Sequence, residues 1–303
     1  MSFHDTISTK SIAKSRPDIE NIAIESNTKV LNLLLEKVYL EGGYDFRDYK
    51  RGTLMRRLDR RLYATGTKSY LEYIQFLDTH PEEYGRLANY LTILVSGFFR
   101  SPYTFQQMAG LVLPELVLTK VNQGEHSLRF WSTACGRGEE PYSIAILLAQ
   151  FLGDKLGDFD IQIYATDINR QALREAEAGV YSRKDVESLP PGIRERYFVR
   201  NNGGYEVRTE IRQMVRFSHF DLTSTIKQPF TDLDCLFCCN ILIYLQEQLQ
   251  KRLLSMLYEA LAIPGYLILG EAEVPTKNLR EKVKCLDVKA RIYKKNGEEW
   301  GII

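Results

Sequence analysis

The spacing of apolar residues along the chain changes near residue 95. Between residues 29 and 94 they recur every three or four positions, which predicts amphipathic helices separated at Gly42-Gly43, Gly66 and His80-Pro81. We therefore expect a small all-helical domain over residues 29–94. The polar and aperiodic residues 1–28 are predicted to form a tail or linker.

Beyond residue 95, short apolar runs alternate with segments of helical periodicity. The predicted strands lie at 128–131, 161–165, 214–217, 234–239 and 266–269, and the predicted helices at 103–121, 140–152, 170–178 and 246–261. This alternation predicts an α/β domain over residues 95–303, with a mostly parallel sheet covered by helices on both faces. A Gly-rich turn at 201–204 interrupts it and predicts an antiparallel hairpin, in a small β insertion at about residues 182–214.

The composition is that of an ordinary soluble globular protein. Of the 303 residues, 44% are hydrophobic and 26% are charged, and the formal net charge is +1. Such a balance offers no global field that would attract nucleic acid or anionic lipid. No stretch approaches the roughly 18 apolar residues of a membrane span. Residues 1–20 lack the apolar core of a secretory signal, and five cysteines do not indicate a disulfide framework, so we expect a cytoplasmic protein.

The most informative stretch is the glycine turn between the first predicted strand and the next helix, residues 130–141. A nucleotide bound there would sit at the carboxyl end of the strand. Glu139 and Glu140 stand where a pyrophosphate would bind, and Pro141 replaces the third glycine of a dinucleotide motif. Two carboxylates repel phosphate but suit a cationic, phosphate-free adenosine such as S-adenosylmethionine. Asp167, which ends the second strand, is placed to accept hydrogen bonds from ribose hydroxyl groups.

A purely structural interpretation of these acids stays open. Glu139 and Glu140 would also favour the positive end of a helix dipole, and Asp167 would also cap a helix.

From about Tyr44 to its C-terminus the chain resembles the chemotaxis protein methyltransferase family, which esterifies glutamate side chains of bacterial chemoreceptors. The resemblance is carried by five ordered blocks together with a junction motif. These are Phe98-Phe99-Arg100, residues 131–143, Ala165-Thr166-Asp167-Ile168, Gly179-Val180-Tyr181, Phe217 through Leu222, and residues 237–244. It implies a class I, Rossmann-like methyltransferase fold behind a helical N-terminal domain, with the hairpin insertion as the family's β-subdomain.

The resemblance also implies roles for individual residues. Arg100 and Tyr244 would lie beside the reactive methyl group as catalytic residues, Glu140 would contact the methionine end, and Asp167 would bind the ribose. The implied cofactor-binding set is Ser96, Arg100, Gly136, Gly138, Glu140, Asp167, Asp221, Leu222, Cys239 and Asn240. The implied partner is the cytoplasmic methylation region of the receptors, and the implied product is S-adenosylhomocysteine.

Several positions depart from the family pattern. Leu94 stands where the family often has Asn, Ser96 replaces Thr, Arg137 replaces a small hydroxyl residue, and Cys239 replaces Arg. Gly270-Glu271-Ala272-Glu273 replaces a Gly-His-Ser-Glu pattern. Two alternatives to chemoreceptor methylation therefore stay open: a non-catalytic regulatory relative that binds the cofactor, and a methyltransferase for another protein substrate.

The expected chemistry needs no general base. A glutamate side chain, with a pKa near ~4.3, is already an ionised nucleophile at neutral pH. The guanidinium of Arg100 can hold such a carboxylate through two parallel hydrogen bonds. Alternatively, Arg100 pairs with Glu139 or Glu140, or caps a helix, and Tyr244 packs against the sheet instead of orienting the acceptor.

A basic run precedes and enters the second predicted helix. Its members are Lys50, Arg56, Arg57, Arg60 and Arg61, which the resemblance implies as a docking surface for acidic receptor segments. A solvated helix face is the plain alternative, and nucleic acid is a weaker one because no aromatic stacking platform accompanies the charges.

The cysteine cluster Cys235, Cys238 and Cys239 lies within an apolar strand without a second cysteine pair. We therefore expect small packing residues and no metal. The sequence leaves the oligomeric state open.

Overall fold

The computed structural model describes residues 16–92, 94–223, 228–295 and 297, with the side chains of 16–27 and 191 outside that description. The chain divides into two compact units. The helical unit comprises Met1–Arg47 and Met55–Leu87, and the α/β unit comprises Asp48–Leu54 and Ala88–Ile303. The short segment Asp48–Leu54, which the sequence pattern places inside the predicted helical domain, belongs with the α/β unit in this division.

The predicted helices of the N-terminal region are confirmed. They are α1 (Arg16–Gly42), α2 (Arg51–Thr65), α3 (Tyr70–Thr79) and α4 (Glu82–Leu91). The breaks fall at the predicted Gly and Pro residues. The predicted tail was wrong for residues 16–28, where the backbone is helical; Pro17 occupies the first turn, where its missing N–H is tolerated. Residues 1–15 of that tail lie outside the described residues.

A buried ion pair holds the helical unit together. Both oxygens of Glu83, which is only 1% exposed, accept hydrogen bonds from Arg61 at 2.6 Å, and the Tyr73 hydroxyl donates to Glu83 at 2.6 Å. Two parallel bonds of this kind are the geometry that a guanidinium fork favours. The docking role predicted for Arg61 is therefore corrected, because its guanidinium is engaged inside the unit.

The α/β unit follows the predicted alternation. Its strands are β1 (Ser127–Ser132), β2 (Asp160–Asp167), β3 (Val180–Tyr181), β4 (Phe198–Asn201), β5 (Gly204–Val207), β6 (Val215–His219), β7 (Leu233–Cys238), β8 (Leu261–Leu269), β9 (Val283–Asp287) and β10 (Ile292–Lys295). Its helices are α5 (Pro102–Gln107), α6 (Leu113–Asn122), α7 (Glu139–Leu152), α8 (Arg170–Ala178), α9 (Arg183–Val186), α10 (Pro191–Tyr197), α11 (Thr209–Arg212), α12 (Glu247–Ala260) and α13 (Lys277–Arg280). A π-helical turn at Met108–Val112 joins α5 to α6, and 3-10 turns lie at Gly153–Asp158 and Leu242–Tyr244.

Seven strands form the main sheet in the order β6-β2-β1-β7-β8-β10-β9. The first five in that order are parallel, and only β10 pairs antiparallel, with β8 and β9. The fold class predicted from the alternation is confirmed. The sequence did not predict strands β9 and β10. Their charged residues, which are common on edge strands, interrupt the apolar pattern that would have indicated them.

Both faces of the main sheet are buried at its centre. The neighbouring side chains of Phe130 and Trp131 point to opposite faces of β1, and both are fully buried. Every residue of β7 is buried as well, including Cys235 and Cys238, which are the small packing residues that we expected. A sheet covered on both faces is typical of parallel α/β folds.

The predicted hairpin is also confirmed. β4 and β5 pair antiparallel, and β3 joins them in a three-stranded sheet of order β3-β5-β4. The insertion therefore starts at Val180, slightly before the predicted residue 182. The ring of Phe98 packs edge-on against Tyr181 and Phe198, at 4.7 and 5.2 Å between ring centroids, and so ties the segment before α5 to this sheet.

The strand order places a crevice at the carboxyl end of β1. β2 lies on one side of β1 and β7 lies on the other, and the chain crosses from one side to the other. In open α/β sheets, ligands bind at such a switch point. The loops after β1, β2, β7 and β8 are therefore the ones that can shape a site.

Candidate active site

One pocket of the α/β unit brings almost all of the predicted site residues together. It is lined by Ser96, Arg100, Gly136, Glu140, Asp167, Asp221, Leu222, Cys239, Asn240 and Tyr244. Gly138 is the predicted cofactor residue that does not line it. Residues predicted from separate blocks thus meet at the switch point of the sheet.

The two glycines of the turn after β1 have different functions. Gly136 and Gly138 both adopt positive φ angles, of 55° and 90°. A Cβ on Gly138 would lie 2.9 Å from the Cβ of Ala176 and 3.1 Å from the hydroxyl of Tyr181. Gly138 thus lets the turn pack closely against its neighbours, while Gly136 faces the pocket; the predicted cofactor contact of Gly138 stays a prediction.

Asp167 is held by the backbone at the end of β2. Its two carboxylate oxygens accept the N–H groups of Gly136 and Asn169, both at 2.8 Å. Burial raises the pKa of Asp167, and these N–H bonds oppose that rise. The side chain that caps α8 is Asn169, which accepts from Gln171 and Ala172. The alternative that Asp167 serves as the helix cap is therefore wrong.

The two acids that start α7 point to different places. Glu139 is 1% exposed and accepts a hydrogen bond from Arg137 at 2.9 Å, while Arg137 also pairs with Asp185 at 2.8 Å. Neither Glu139 nor Arg137 lines the pocket. Of the two acids that we expected to face the ligand, only Glu140 lines the pocket, and the side chain of Arg137 is engaged by Glu139 and Asp185.

Glu140 is the acid at the start of α7 that lines the pocket. Its carboxylate accepts a hydrogen bond from the Ser132 hydroxyl at 2.7 Å. Burial raises the pKa of Glu140, and the negative charge of Glu273 adds to the rise, while Ser132 and the positive charge of Arg100 oppose it. The carboxylate is thus a half-buried negative charge that a cationic ligand would stabilise.

Arg100 lies on a strained turn at the pocket. Phe99 before it and Ser101 after it both have positive φ angles, of 49° and 63°. The N–H of Phe99 donates to the Ser143 hydroxyl on α7 at 2.8 Å, and the Arg100 guanidinium donates to the carbonyl of Val95. Such strain in non-glycine residues is found mostly at functional sites. Within the described ranges, Arg100 forms no ion pair with Glu139 or Glu140, so that alternative is not supported.

The adenine side predicted from the resemblance lies after β6. Leu222 is buried against the pocket, and Asp221 accepts both the N–H and the hydroxyl of Thr223, at 2.8 and 2.6 Å. Phe220 joins them in the lining and packs edge-on against Trp131. This wall combines an apolar surface with a carboxylate, as a planar base with polar edges requires.

Sequence reasoning missed the segment Asp48–Leu54. The N–H of Lys50 donates to the carbonyl of Tyr244 at 2.8 Å, and Tyr49 forms a β-bridge with Leu245. As a result, Tyr49, Thr53 and Leu54 line the pocket beside Tyr244. No signal in the sequence pointed there, because the helical periodicity assigned these residues to the N-terminal domain.

The residues predicted to dock a partner divide between the two units. Lys50 belongs to the α/β unit, while Arg56, Arg57 and Arg60 belong to the helical unit. Lys50, Arg56 and Arg60 are exposed, and Arg57 is half-buried. Arg61 stays excluded because it holds Glu83.

Within the described ranges, the chain has neither a cluster of metal-binding side chains nor a helix that could span a membrane. No group of three or more His, Cys, Asp or Glu side chains there could hold a metal ion. None of the helices described is both long enough and apolar enough to cross a bilayer.

Comparison with known proteins assigns the chain to a family. Residues 95–292 match the model for the S-adenosylmethionine-binding domain of CheR methyltransferases, and residues 29–92 match the model for their all-alpha domain. The chain belongs to the CheR methyltransferase family. This confirms the expected class of enzyme and the expected cofactor, S-adenosylmethionine.

Individual relatives agree with this assignment. The chain is 34% identical over 244 residues to chemotaxis protein methyltransferase 2 of Pseudomonas aeruginosa, covering 78% of this chain and 84% of that protein. It is 32% identical over 245 residues to the chemotaxis protein methyltransferase of Escherichia coli K12, covering 78% and 81%. An uncharacterized 104.1 kDa protein of Rhodobacter capsulatus is 32% identical over 266 residues, covering 88% of this chain but only 27% of that longer protein.

The residues of the pocket fit this cofactor. S-adenosylmethionine carries a sulfonium and an ammonium group and no phosphate. Glu140 and Asp167 offer carboxylates to those cations or to ribose hydroxyls, and among the described residues neither carboxylate forms an ion pair with a basic side chain. A buried carboxylate without an internal cation is a suitable counter-charge for a cationic ligand.

Proposed function

We propose that this methyltransferase esterifies glutamate side chains in the cytoplasmic methylation region of bacterial chemoreceptors, and that it acts in the cytoplasm. The observation that carries the proposal is that acidic and basic side chains line the same pocket. Glu140 and Asp167 line it together with Arg100. The acids suit a cationic methyl donor, and the arginine suits an anionic acceptor.

On the cofactor side, the pocket residues bind and orient. Bound S-adenosylmethionine supplies an electrophilic methyl carbon on a sulfonium. We assign Glu140 to the methionine end, Asp167 to the ribose, and Asp221 with Leu222 to the adenine. Asn240, Ser96, Gly136 and Cys239 complete the enclosure, since all of them line the same pocket.

On the acceptor side, the pocket has to align the glutamate carboxylate with the methyl group and remove water from it. A glutamate carboxylate is ionised at neutral pH, so no proton has to be removed from it. Arg100 would hold the carboxylate through its guanidinium fork, and Tyr244, which lines the pocket, would orient it. Holding both reactants in line is a large source of rate acceleration for a displacement of this kind.

The partner is inferred from charge and from the relatives. Lys50, Arg56, Arg57 and Arg60 form a basic run, which suits an acidic protein segment such as one rich in methylatable glutamates. The relatives from Pseudomonas aeruginosa and Escherichia coli are both named chemotaxis protein methyltransferases. Chemoreceptors are the substrate that these two observations jointly favour.

Transfer of a labelled methyl group tests the proposal. The protein is incubated with methyl-labelled S-adenosylmethionine and a receptor cytoplasmic fragment, and we expect label in the receptor that alkali releases, as a methyl ester requires. A fragment whose methylation-site glutamates are replaced by alanine is the control. Cofactor binding without transfer would instead favour a non-catalytic regulatory relative. Label on another acidic protein and not on the receptor would favour a different substrate.

A further inference from the structure

A carboxylate lies behind the pocket wall and does not line the pocket. Glu273 is 3% exposed, and one of its oxygens accepts the N–H groups of Asn240 and Gly270, both at 2.8 Å. Its other oxygen accepts the N–H of Ile243 at 3.3 Å. One side chain from the loop after β8 thus holds three backbone donors, two of which belong to the loop after β7.

The residue at the centre of this arrangement has an uncommon backbone conformation. Asn240 has a positive φ of 61°, in the left-handed region that few residues other than glycine adopt, although asparagine does so more often than most. Such a conformation persists only where surrounding contacts impose it. The N–H bond to Glu273 is one such contact. Gly270 allows it, because a Cβ at that position would lie 2.7 Å from the Glu273 carboxylate and closer still to the Asn240 amide.

The loop held in this way carries two pocket residues. Asn240 begins it, and Tyr244 ends the 3-10 turn Leu242–Tyr244, whose middle residue, Ile243, donates to Glu273. Both Asn240 and Tyr244 line the pocket. Glu273 does not line it, but it contacts the loop that carries these two residues.

We propose that Glu273 is a positioning residue for methyl transfer: its carboxylate fixes the Asn240–Tyr244 loop in the conformation that binds S-adenosylmethionine and presents Tyr244 to the acceptor. The inference rests on the cofactor and acceptor roles proposed above for Asn240 and Tyr244. It adds a residue that touches neither reactant.

The chemistry of the contact requires a carboxylate. Three N–H groups converge on two oxygens, and an ionised carboxylate can accept all three. Burial raises the pKa of Glu273, and the backbone N–H bonds from Asn240, Gly270 and Ile243 oppose that rise by stabilising the ionised form. Glutamine has the same shape, but its amide group would turn N–H groups toward a backbone N–H, so at least one of the three bonds would be lost.

The test uses the full chain and a double-mutant cycle. Titration calorimetry with S-adenosylmethionine compares wild type, Glu273→Gln, Asn240→Ala and the double variant. We expect Glu273→Gln to weaken binding by about 10- to 100-fold, the usual effect of losing a hydrogen bond to a buried charge. If Glu273 acts through Asn240, the double variant should bind about as weakly as the weaker single variant. Glu271→Gln is the matched control, because Glu271 is exposed and should bind as wild type does.

Three results would overturn the proposal: unchanged binding in Glu273→Gln, additive losses in the double variant, or an equal loss in the Glu271→Gln control. If Glu273→Gln does not fold, Asn240→Gly is added, since glycine adopts the positive φ without a side-chain penalty. Recovery of folding would support action through Asn240, and failure to recover would overturn it. A wild type that binds the cofactor but transfers no methyl group would contradict the proposed function and the presentation of Tyr244 to an acceptor, whereas the role of Glu273 in cofactor binding would still be decided by the calorimetric cycle.

Discussion

The environment of Glu83 in the helical unit differs from that of the two pocket carboxylates, Glu140 and Asp167, in the α/β unit. In the helical unit, burial disfavours the ionised form of Glu83, but hydrogen bonds from Arg61 and Tyr73 outweigh it, and the pKa falls below its usual range. In the α/β unit, burial prevails and raises the pKa of Glu140 and of Asp167. The first carboxylate has its cation built in, and the other two are held by hydroxyl and backbone N–H groups.

The difference separates structural acids from acids available to a ligand. A buried charge needs a partner, and Arg61 supplies one to Glu83 within the fold. Glu140 and Asp167 lie at the crevice with hydrogen bonds alone, so a cationic ligand can complete their environment. Neutralising Glu83 or its partner should therefore change stability, whereas neutralising Glu140 should change cofactor binding.

The largest expected effect is on stability. Arg61→Ala leaves Glu83 buried without its cation, which should lower the free energy of unfolding of the helical unit by about 3–5 kcal/mol. Arg60→Ala, one residue away on the exposed face of α2, is the matched control and should stay within about 0.5 kcal/mol of wild type. Chemical denaturation of both variants measures the difference. Equal stabilities would show that the Arg61–Glu83 pair does not hold the unit together.

Next comes the acceptor side of the pocket. Arg100→Ala should reduce methyl transfer by about 100- to 1,000-fold, the usual effect of removing one oriented group from a catalytic site. Its side chain is exposed and, among the described residues, makes one hydrogen bond, to the Val95 carbonyl, so the thermal midpoint should hardly move. Arg100→Lys should remain impaired because lysine lacks the planar fork. Arg174→Ala, an exposed arginine on α8, is the control. Undiminished turnover in Arg100→Ala would remove this residue from the site.

A pH dependence should distinguish Glu140 from Glu83. A cationic ligand favours ionised Glu140, so affinity for S-adenosylmethionine should fall as the pH drops through the raised pKa of this residue, by up to about tenfold per pH unit. Above that pKa, affinity should be level. Glu140→Gln should weaken binding by about 10- to 100-fold at neutral pH and flatten the acidic limb. Calorimetric titrations between about pH 5 and 8 would test this, and an unaltered profile in Glu140→Gln would assign the proton to another group.

The smallest effect is expected at the basic run. Reversing Arg56 and Arg60 to Glu should slow receptor modification several-fold at low salt and less at high salt, because exposed charges act mainly on encounter and are screened. Affinity for S-adenosylmethionine should not change. A loss of cofactor affinity in this variant would show that the docking assignment is wrong.

The parts of the fold with strong periodicity could be predicted from the sequence. The α/β alternation, the hairpin and the glycine turn were visible because apolar spacing and glycine positions encode them directly. The order of the family blocks also predicted that most of the pocket residues would meet at one edge of the sheet.

The sequence could not show which of two neighbouring side chains faces a pocket, a buried partner or the solvent. Glu139 and Glu140 are neighbours, but successive residues on a helix point about 100° apart, so only one faces the pocket. In the same way, Arg60 is exposed to solvent, whereas its neighbour Arg61 forms an ion pair with Glu83. The role of Glu273 depends on contacts between two loops that are 30 residues or more apart along the chain, and no local pattern records them.

The most direct test is a competition between two adenosine ligands at neutral pH. S-adenosylmethionine should bind the wild-type protein in calorimetric titration, and NAD, which carries a pyrophosphate, should neither release heat of binding nor displace it. Saturable binding of NAD in the same pocket, undisturbed by Glu140→Gln, would contradict the view that the negative charge of Glu140 at the crevice selects the cofactor.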